Sequence, residues 1–215
     1  MKKLCIFDFD GTLFDTICYV YENVNVILRE NDLPTLNNDK LIKLLGGNID
    51  QIVSKILGEE KSTPENIKKI RLGYEERCRK VKDDSLPYNG IVELLHLLQE
   101  KNIILAINSN RKTESIKYFV DRHLSDIAFL DIQGHTYNHP SKPDAYGINT
   151  IIKKSRLEKE DTVYIGDSST DIRTACNAGV DCVIVKWGYG NENDYSNEYP
   201  MEVIDEPLEL LEVVL

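Results

Sequence analysis

The sequence predicts an α/β fold: an open parallel sheet with helices on both faces, and a helical module inserted into it. Three observations predict it. Five short runs rich in Ile, Val and Leu, at Lys3–Phe9, Ile103–Ile107, Ile127–Ile132, Thr162–Ile165 and Asp181–Val185, are mostly apolar on consecutive positions, which is how strands covered on both faces read. Helical patterns separate the last four of these runs. Between the first run and the second, residues 15–87 hold no good strand pattern.

The elements follow in order. After the first strand come helical candidates at Tyr19–Arg29, Asp39–Leu45, Ile49–Leu57 and Pro64–Lys80, broken at Pro34, Gly46-Gly47 and Gly58. Thr63 before Pro64 reads as a cap followed by a first-turn proline. The segment Asp83-Asp84-Ser85-Leu86-Pro87 is the return hinge. The apolar pattern Ile91–Leu98 predicts a helix leading into the second strand. Thr113–Phe119, Tyr146–Ile152 and Thr170–Ala178 predict the connecting helices, and Glu206–Val213 a short closing one. The domains expected are therefore 1–14 with 88–215 as the α/β core, and 15–87 as the helical insertion.

Composition bounds the function. A chain of 215 residues gives one or two domains. Against 26 Lys and Arg stand 36 Asp and Glu, a net charge of −10, so nucleic acid and anionic membrane are not the expected partners. No apolar run approaches the roughly 20 residues a membrane helix needs. The apolar N-terminal stretch stops at Asp8, too soon for a signal peptide, and a cytoplasmic protein is expected. The five cysteines, an odd number without a C-x-x-C pair, read as reduced, buried thiols.

The chemistry is expected at the carboxyl ends of the strands, where open α/β sheets bind ligands. There the sequence places Asp8-Phe9-Asp10-Gly11-Thr12, Asn108-Ser109-Asn110 and Gly166-Asp167-Ser168-Ser169-Thr170-Asp171, with Ser141-Lys142-Pro143 before the helix that precedes the fourth strand. Asp8 and Asp10, two apart, would share a strand face with Phe9 turned away. Asp167 would approach from the neighbouring strand, with Asp171 one helical turn later. Such carboxylates repel and take up protons unless a cation sits among them, and all-oxygen ligation suits Mg²⁺. Lys142, the Ser109 hydroxyl and the backbone N–H groups around Gly11-Thr12 and Ser109-Asn110 suit a phosphate. Asp8 reads as a nucleophile toward phosphorus, and Asp10 as the acid/base. Singly, each signal has a plainer reading: a turn-forming Asp, a cap at Asp167, a solvated Lys142. His135 and His139 fall in the loop after the third strand. Tyr19, Tyr21 and Asn23 form a stripe more often found in a core.

Together, Asp8-Phe9-Asp10-Gly11-Thr12, Ser109, Lys142-Pro143 and Gly166-Asp167-x-x-x-Asp171 resemble the four motifs of the haloacid dehalogenase superfamily, in the same order. The resemblance implies a Rossmann-like core with strand order 5-4-1-2-3 and a helical cap inserted after the first motif. It implies Asp8 as nucleophile, Asp10 as acid/base, Ser109 and Lys142 on the phosphate, and Mg²⁺ on Asp8, the Asp10 carbonyl and Asp167, with Asp171 in support. Asp10-Gly11-Thr12-Leu13-Phe14-Asp15-Thr16, Pro87-Tyr88-Asn89-Gly90 and Trp187-Gly188-Tyr189-Gly190 look like the phosphoglycolate phosphatase-like group. Two positions depart from that group: Arg111 follows Ser109-Asn110 where Lys is usual, and Asp144-Ala145 follows Pro143 where a second Pro is common. The expected function is a Mg²⁺-dependent phosphatase of a small phosphorylated metabolite, acting through an aspartyl phosphate. A β-phosphoglucomutase-like mutase and a pyrophosphatase are the alternatives on the same site, and monomer and dimer both remain open. A response-regulator receiver domain gathers similar residues but lacks the inserted module.

Overall fold

Four apolar residues without a turn former, Leu4-Cys5-Ile6-Phe7, make the central strand β1 (Leu4–Phe7). The structure, a computed structural model, describes all residues from Met1 to Leu215. After β1 come a two-residue strand β2 (Phe14–Asp15), then helices α1 (Ile17–Glu30), α2 (Asn38–Leu44), α3 (Ile49–Lys61) and α4 (Pro64–Lys80). The chain continues through β3 (Leu86–Pro87), α5 (Ile91–Glu100), β4 (Ile104–Lys112), α6 (Thr113–His123), β5 (Phe129–His135), α7 (Tyr146–Ser155), β6 (Thr162–Gly166) and α8 (Ser169–Ala178). It ends with β7 (Asp181–Val185), α9 (Glu192–Tyr195), β8 (Glu202–Ile204) and α10 (Leu210–Val214).

The main sheet runs β5-β4-β1-β6-β7-β8, parallel throughout. Its first five members are the five strands read from the sequence, in the implied order 5-4-1-2-3. The sixth, β8, lies outside β7 and was not foreseen, nor was the one-turn α9; three residues of Glu-Val-Ile carry too little pattern to announce a strand. The closing helix is shorter than expected, a 3₁₀ turn at Pro207–Glu209 followed by α10.

Burial explains the consecutive apolar runs. From β1, Cys5 and Phe7 pack on one face of the sheet with Leu94, Leu95 and Leu98 of α5 and Phe119 of α6. Leu4 and Ile6 pack on the other with Ile148 and Ile151 of α7 and Ile172 and Ala175 of α8. Covering each such side chain contributes roughly 1.5–3 kcal/mol, which is why β1 is apolar on both faces. Two of the five thiols, Cys5 and Cys182, are buried as expected; burial pushes Cys5 up to about 12. Cys18 and Cys176 are exposed and Cys78 lies between, so the expectation of buried thiols fails for these; all five are free.

The chain divides into two compact units, Met1–Asp15 with Leu86–Leu215, and Thr16–Ser85. The division lies a residue or two from the expected boundaries because β2 and β3 pair antiparallel, Phe14 with Pro87 and Asp15 with Leu86, which ties both residues to the first unit. The second unit is four helices with small apolar clusters, Val24, Leu28 and Leu41 in one and Ile27, Val53 and Ile70 in another. Its helix starts are fixed by side chains: Asn37 accepts from Lys40 N, Asn48 and Gln51 form a capping box, and Thr63 accepts from Asn66 N ahead of Pro64. Tyr19 and Asn23 serve the unit internally. The Tyr19 hydroxyl donates to Val81 O at 3.1 Å, and buried Asn23 donates to Tyr19 O at 2.8 Å.

Truncating Leu105→Ala in β4, where the side chain is buried, is expected to cost about 2–5 kcal/mol. Leu72→Ala on exposed α4 is expected to stay within about 0.5 kcal/mol. Urea unfolding of the two variants checks the contrast.

Candidate active site

The strand ends of β1, β4 and β6 converge because the three are adjacent and in parallel register, Phe7 opposite Ile107 and Ile165. Beyond Phe7 the chain leaves the sheet; Asp8 N still donates to Ile165 O at 2.8 Å. Gly11, at φ +80°, then turns the chain, with Gly11 N donating to Phe14 O at 3.0 Å. A Cβ on Gly11 would stand 2.3 Å from Asp167 Oδ2, so no other residue fits between the two motifs.

Carboxylate oxygens of Asp8, Asp167 and Asp171 lie within 4.8 Å of one another, and all three residues are buried. Lys142 reaches into them. Its Nζ is 2.7 Å from Asp171 Oδ1 and 2.8 Å from Asp8 Oδ1, and it donates to the Tyr164 hydroxyl at 3.1 Å. Lys142 is thus an ion-pair partner of Asp8 as well as of Asp171, and Asp8 Oδ1 has no partner besides that ammonium. Asp171 is saturated. Its Oδ1 accepts from Lys142, with the Tyr164 hydroxyl at 3.3 Å sharing its one hydrogen with Asn108 O at 2.9 Å, and its Oδ2 accepts from Asp167 N at 3.2 Å, Ser168 N at 3.1 Å and Ser168 Oγ at 2.8 Å. Ser168 is thus the cap of α8, in a capping box with Asp171, and Asp167 just precedes it.

Charge is unevenly resolved in this cluster. Burial pushes Asp8 up to about 7; Lys142 opposes the shift while Asp171 and Asp10 add to it. Burial, Asp171 and Asp8 raise Asp167 well above the carboxylate range, against one backbone donor, Tyr189 N at 2.6 Å. Burial works against an ionised Asp171 too, but Lys142 and the Ser168 donors prevail and hold it low. Burial likewise opposes a charged Lys142, and Asp171 and Asp8 outweigh it. One ammonium therefore balances one of three carboxylates, and Asp8 and Asp167 are left needing positive charge. They are also the two with oxygen atoms to give. The donor set is all oxygen, Asp8 Oδ1 is a buried acceptor whose one partner is the Lys142 ammonium, and the cradle would be closed by a Cβ at Gly188, 2.6 Å from Asp167 Oδ2. These residues fit a small hard cation such as Mg²⁺. The saturation of Asp171 leaves it acting through Lys142 and the α8 cap.

Asp10 stands apart. The sequence expectation put it beside Asp8 on one strand face; the strand instead ends at Phe7 and the Asp10 carboxylate pairs with Arg111, Nε at 3.1 Å and 3.3 Å and Nη2 at 3.0 Å. Of the other predicted residues, Ser109 is buried, its Oγ accepting from Arg111 N at 3.2 Å, and its hydrogen remains to be donated. Asn110 uses its side chain on the backbone of Lys142, accepting from Lys142 N at 2.8 Å and donating to Lys142 O at 3.1 Å. Thr12 is fully buried, and its carbonyl accepts from Trp187 Nε1 at 3.0 Å. His135 bonds Ser141 Oγ at 2.7 Å and His139 stacks on Tyr146, neither among the carboxylates. Sequence reasoning missed three contributors: Tyr164, Tyr189 and Arg111. Two of them had a signal: Arg111 its place directly after Ser109-Asn110, and Tyr189 its place in Trp187-Gly188-Tyr189-Gly190; Tyr164 had none.

The haloacid dehalogenase-like hydrolase family profile matches residues 5–185. The chain belongs to that family. It is an enzyme of the phosphatase kind, in the phosphoglycolate phosphatase-like group. A protein of Vibrio cholerae named phosphoglycolate phosphatase is 27% identical over 99% of this chain and 97% of its own length. One of Pseudomonas syringae pv. tomato with the same name is 26% identical over 96% of this chain and 77% of its own. Among solved structures, a protein from Lactobacillus delbrueckii superposes with a TM-score of 0.91 at 22% identity, covering 100% of this chain and 99% of its own. CbbY from Rhodobacter sphaeroides, solved with xylulose-1,5-bisphosphate, superposes at 0.82 and 19%, over 98% and 96%. At those identities the structures speak for the fold.

The raised Asp8 sets a pH dependence. Its folded value of about 7 lies above the unfolded value near 4. Its contribution to stability is therefore complete below about pH 4 and lost as pH rises through 7. A bound cation favours the ionised carboxylates and reverses that loss. The gap in Tm between Mg²⁺-loaded and EDTA-treated protein should be wider at pH 8 than at pH 5; an equal gap at both would contradict the charge imbalance.

Proposed function

We propose that this hydrolase is a Mg²⁺-dependent phosphatase of a small phosphomonoester of the phosphoglycolate type, working through an aspartyl phosphate on Asp8. The observation that carries the reading is Lys142 lodged between Asp8 and Asp171, with Asp167 beside them: a buried ammonium paired with an oxygen nucleophile that has no other partner. The phosphoglycolate class comes from the names of the relatives.

In this reading Asp8 Oδ attacks phosphorus, and the ester oxygen leaves with a proton from Asp10. Water then attacks the phosphorus of the acyl phosphate, Asp10 takes its proton, and the phosphorus–Asp8 bond breaks. Lys142, the Ser109 hydroxyl and the backbone N–H groups of Thr12 and Asn110 hold the transferring phosphoryl oxygens; the Gly11 N–H, expected among them, is given to Phe14 O, and Gly11 serves by its turn. Mg²⁺, held by Asp8, Asp167 and the Asp10 carbonyl, supplies the positive charge that lets a phosphate dianion enter a carboxylate cluster. Asp171 supports the set by fixing Lys142. The unit Met1–Asp15 with Leu86–Leu215 is the catalytic core of this scheme, and Thr16–Ser85 the module that selects the substrate. No helix is long and apolar enough to cross a membrane, and a cytoplasmic enzyme acting on a dissolved metabolite is proposed.

Asp8→Asn is expected to lower turnover of p-nitrophenyl phosphate and phosphoglycolate by at least about 10³-fold with an unchanged circular dichroism spectrum. Near-normal phosphate release from that variant would remove the mechanism. Product analysis with a sugar phosphate separates phosphatase from mutase, by free phosphate against an isomeric ester.

A further inference from the structure

Arg111 is held from several directions. Its Nε reaches both oxygens of Asp10, Oδ1 at 3.1 Å and Oδ2 at 3.3 Å, its Nη2 stands 3.0 Å from Oδ1, and its Nη1 donates to Ser115 Oγ at 3.0 Å. The same group lies 5.3 Å from the Phe9 ring centroid and 5.2 Å from that of Phe119. Those rings belong to a packed cluster in which Phe9 stacks on Phe14 at 4.6 Å and both meet Phe119. The backbone N–H of Arg111 is tied to Ser109 Oγ. The Arg111 side chain is 12% exposed and that of Asp10 29%. A planar fork held this way imposes a direction as well as a distance on the carboxylate it grips. A lysine in its place would be a point charge on a flexible stem, without the fork.

We propose that Arg111 is the positioning residue for the acid/base Asp10: clamped between the phenyl rings and Ser115, it aims the Asp10 carboxylate, and both proton transfers depend on that aim. The proposal rests on the aspartyl-phosphate reading. In the second half-reaction Asp10 takes a proton from water as the water oxygen bonds to phosphorus and the phosphorus–Asp8 bond breaks, regenerating the Asp8 carboxylate. In the next cycle that proton leaves on the departing ester oxygen. A leaving group that is already a good anion, such as p-nitrophenolate, has little use for the proton in the first half-reaction. Water always requires its removal in the second. Loss of aim therefore spares the first step for p-nitrophenyl phosphate and slows the second for every substrate.

The test compares Arg111→Met and Arg111→Lys with wild type in rapid-mixing kinetics under saturating Mg²⁺. Arg111→Met keeps an apolar stem over the phenyl rings, which protects folding, and thermal melting of each variant checks it. With p-nitrophenyl phosphate, kcat is expected to fall about 10- to 100-fold and KM to fall with it, leaving kcat/KM within about threefold. A burst of nitrophenolate close to one per enzyme should precede the steady state. With phenyl phosphate, whose leaving group needs the proton, kcat/KM should fall by about the same 10- to 100-fold. Arg111→Lys should behave like Arg111→Met. A raised KM with kcat kept would make Arg111 a substrate contact and overturn the proposal, as would full rescue by Arg111→Lys. Equal losses in kcat/KM for both esters would reduce it to a structural role. The parent reading fails separately: wild type that traps no phosphate on Asp8 refutes the intermediate itself.

Discussion

Three carboxylates and one ammonium are packed into a space a few ångströms wide, away from water, and the rest of the site answers that constraint. Asp8, Asp167 and Asp171 lie within 4.8 Å of each other, where like charges separated by a poorly polarisable medium repel strongly. Lys142 relieves Asp171 fully and Asp8 in part. The folded chain alone leaves the balance incomplete, with burial raising both Asp8 and Asp167 above the usual carboxylate range. The cluster fits a divalent cation, whose charge would offset that of an entering phosphate dianion.

The surrounding structure fixes these groups in place at the cost of their other options. Asp171 has given all its capacity to Lys142, Tyr164 and the start of α8. Asn110 is spent on the Lys142 backbone, where its amide pairs like a strand neighbour. Tyr189 N occupies one oxygen of Asp167, and glycine at 188 is what allows that loop to come so near. Each device orders a side chain before any ligand arrives, which is the form of preorganisation that phosphoryl transfer rewards.

Much of this was legible from residue order. The five main strands announced themselves because a strand covered on both faces has no polar positions to hide its pattern. Ser109, Lys142 and Asp167 could be placed at one sheet edge because parallel strands present the same end. The edge strand β8 escaped notice because three residues carry no periodicity, and Cys18 and Cys176 are exposed because a thiol is as tolerable in water as in a core. The strand-face pairing of Asp8 with Asp10 fails because β1 stops at Phe7, and beyond it no twofold alternation operates.

By itself the sequence determined which chemistry-bearing residues exist, on which strand ends they sit, and that a helical insertion separates the first strand from the second, since periodicity and short motifs are properties of neighbours along the chain. The tertiary structure alone decided that Asp10 turns to Arg111 while Asp8 turns to Lys142, that Asp171 is saturated, and that Tyr164 and Tyr189 complete the surroundings. Apart from the Ser168–Asp171 cap, those choices are made between residues far apart in the chain, such as Asp10 and Arg111 or Asp8 and Lys142, by distance, direction and exclusion of water, which no local stretch of chain records.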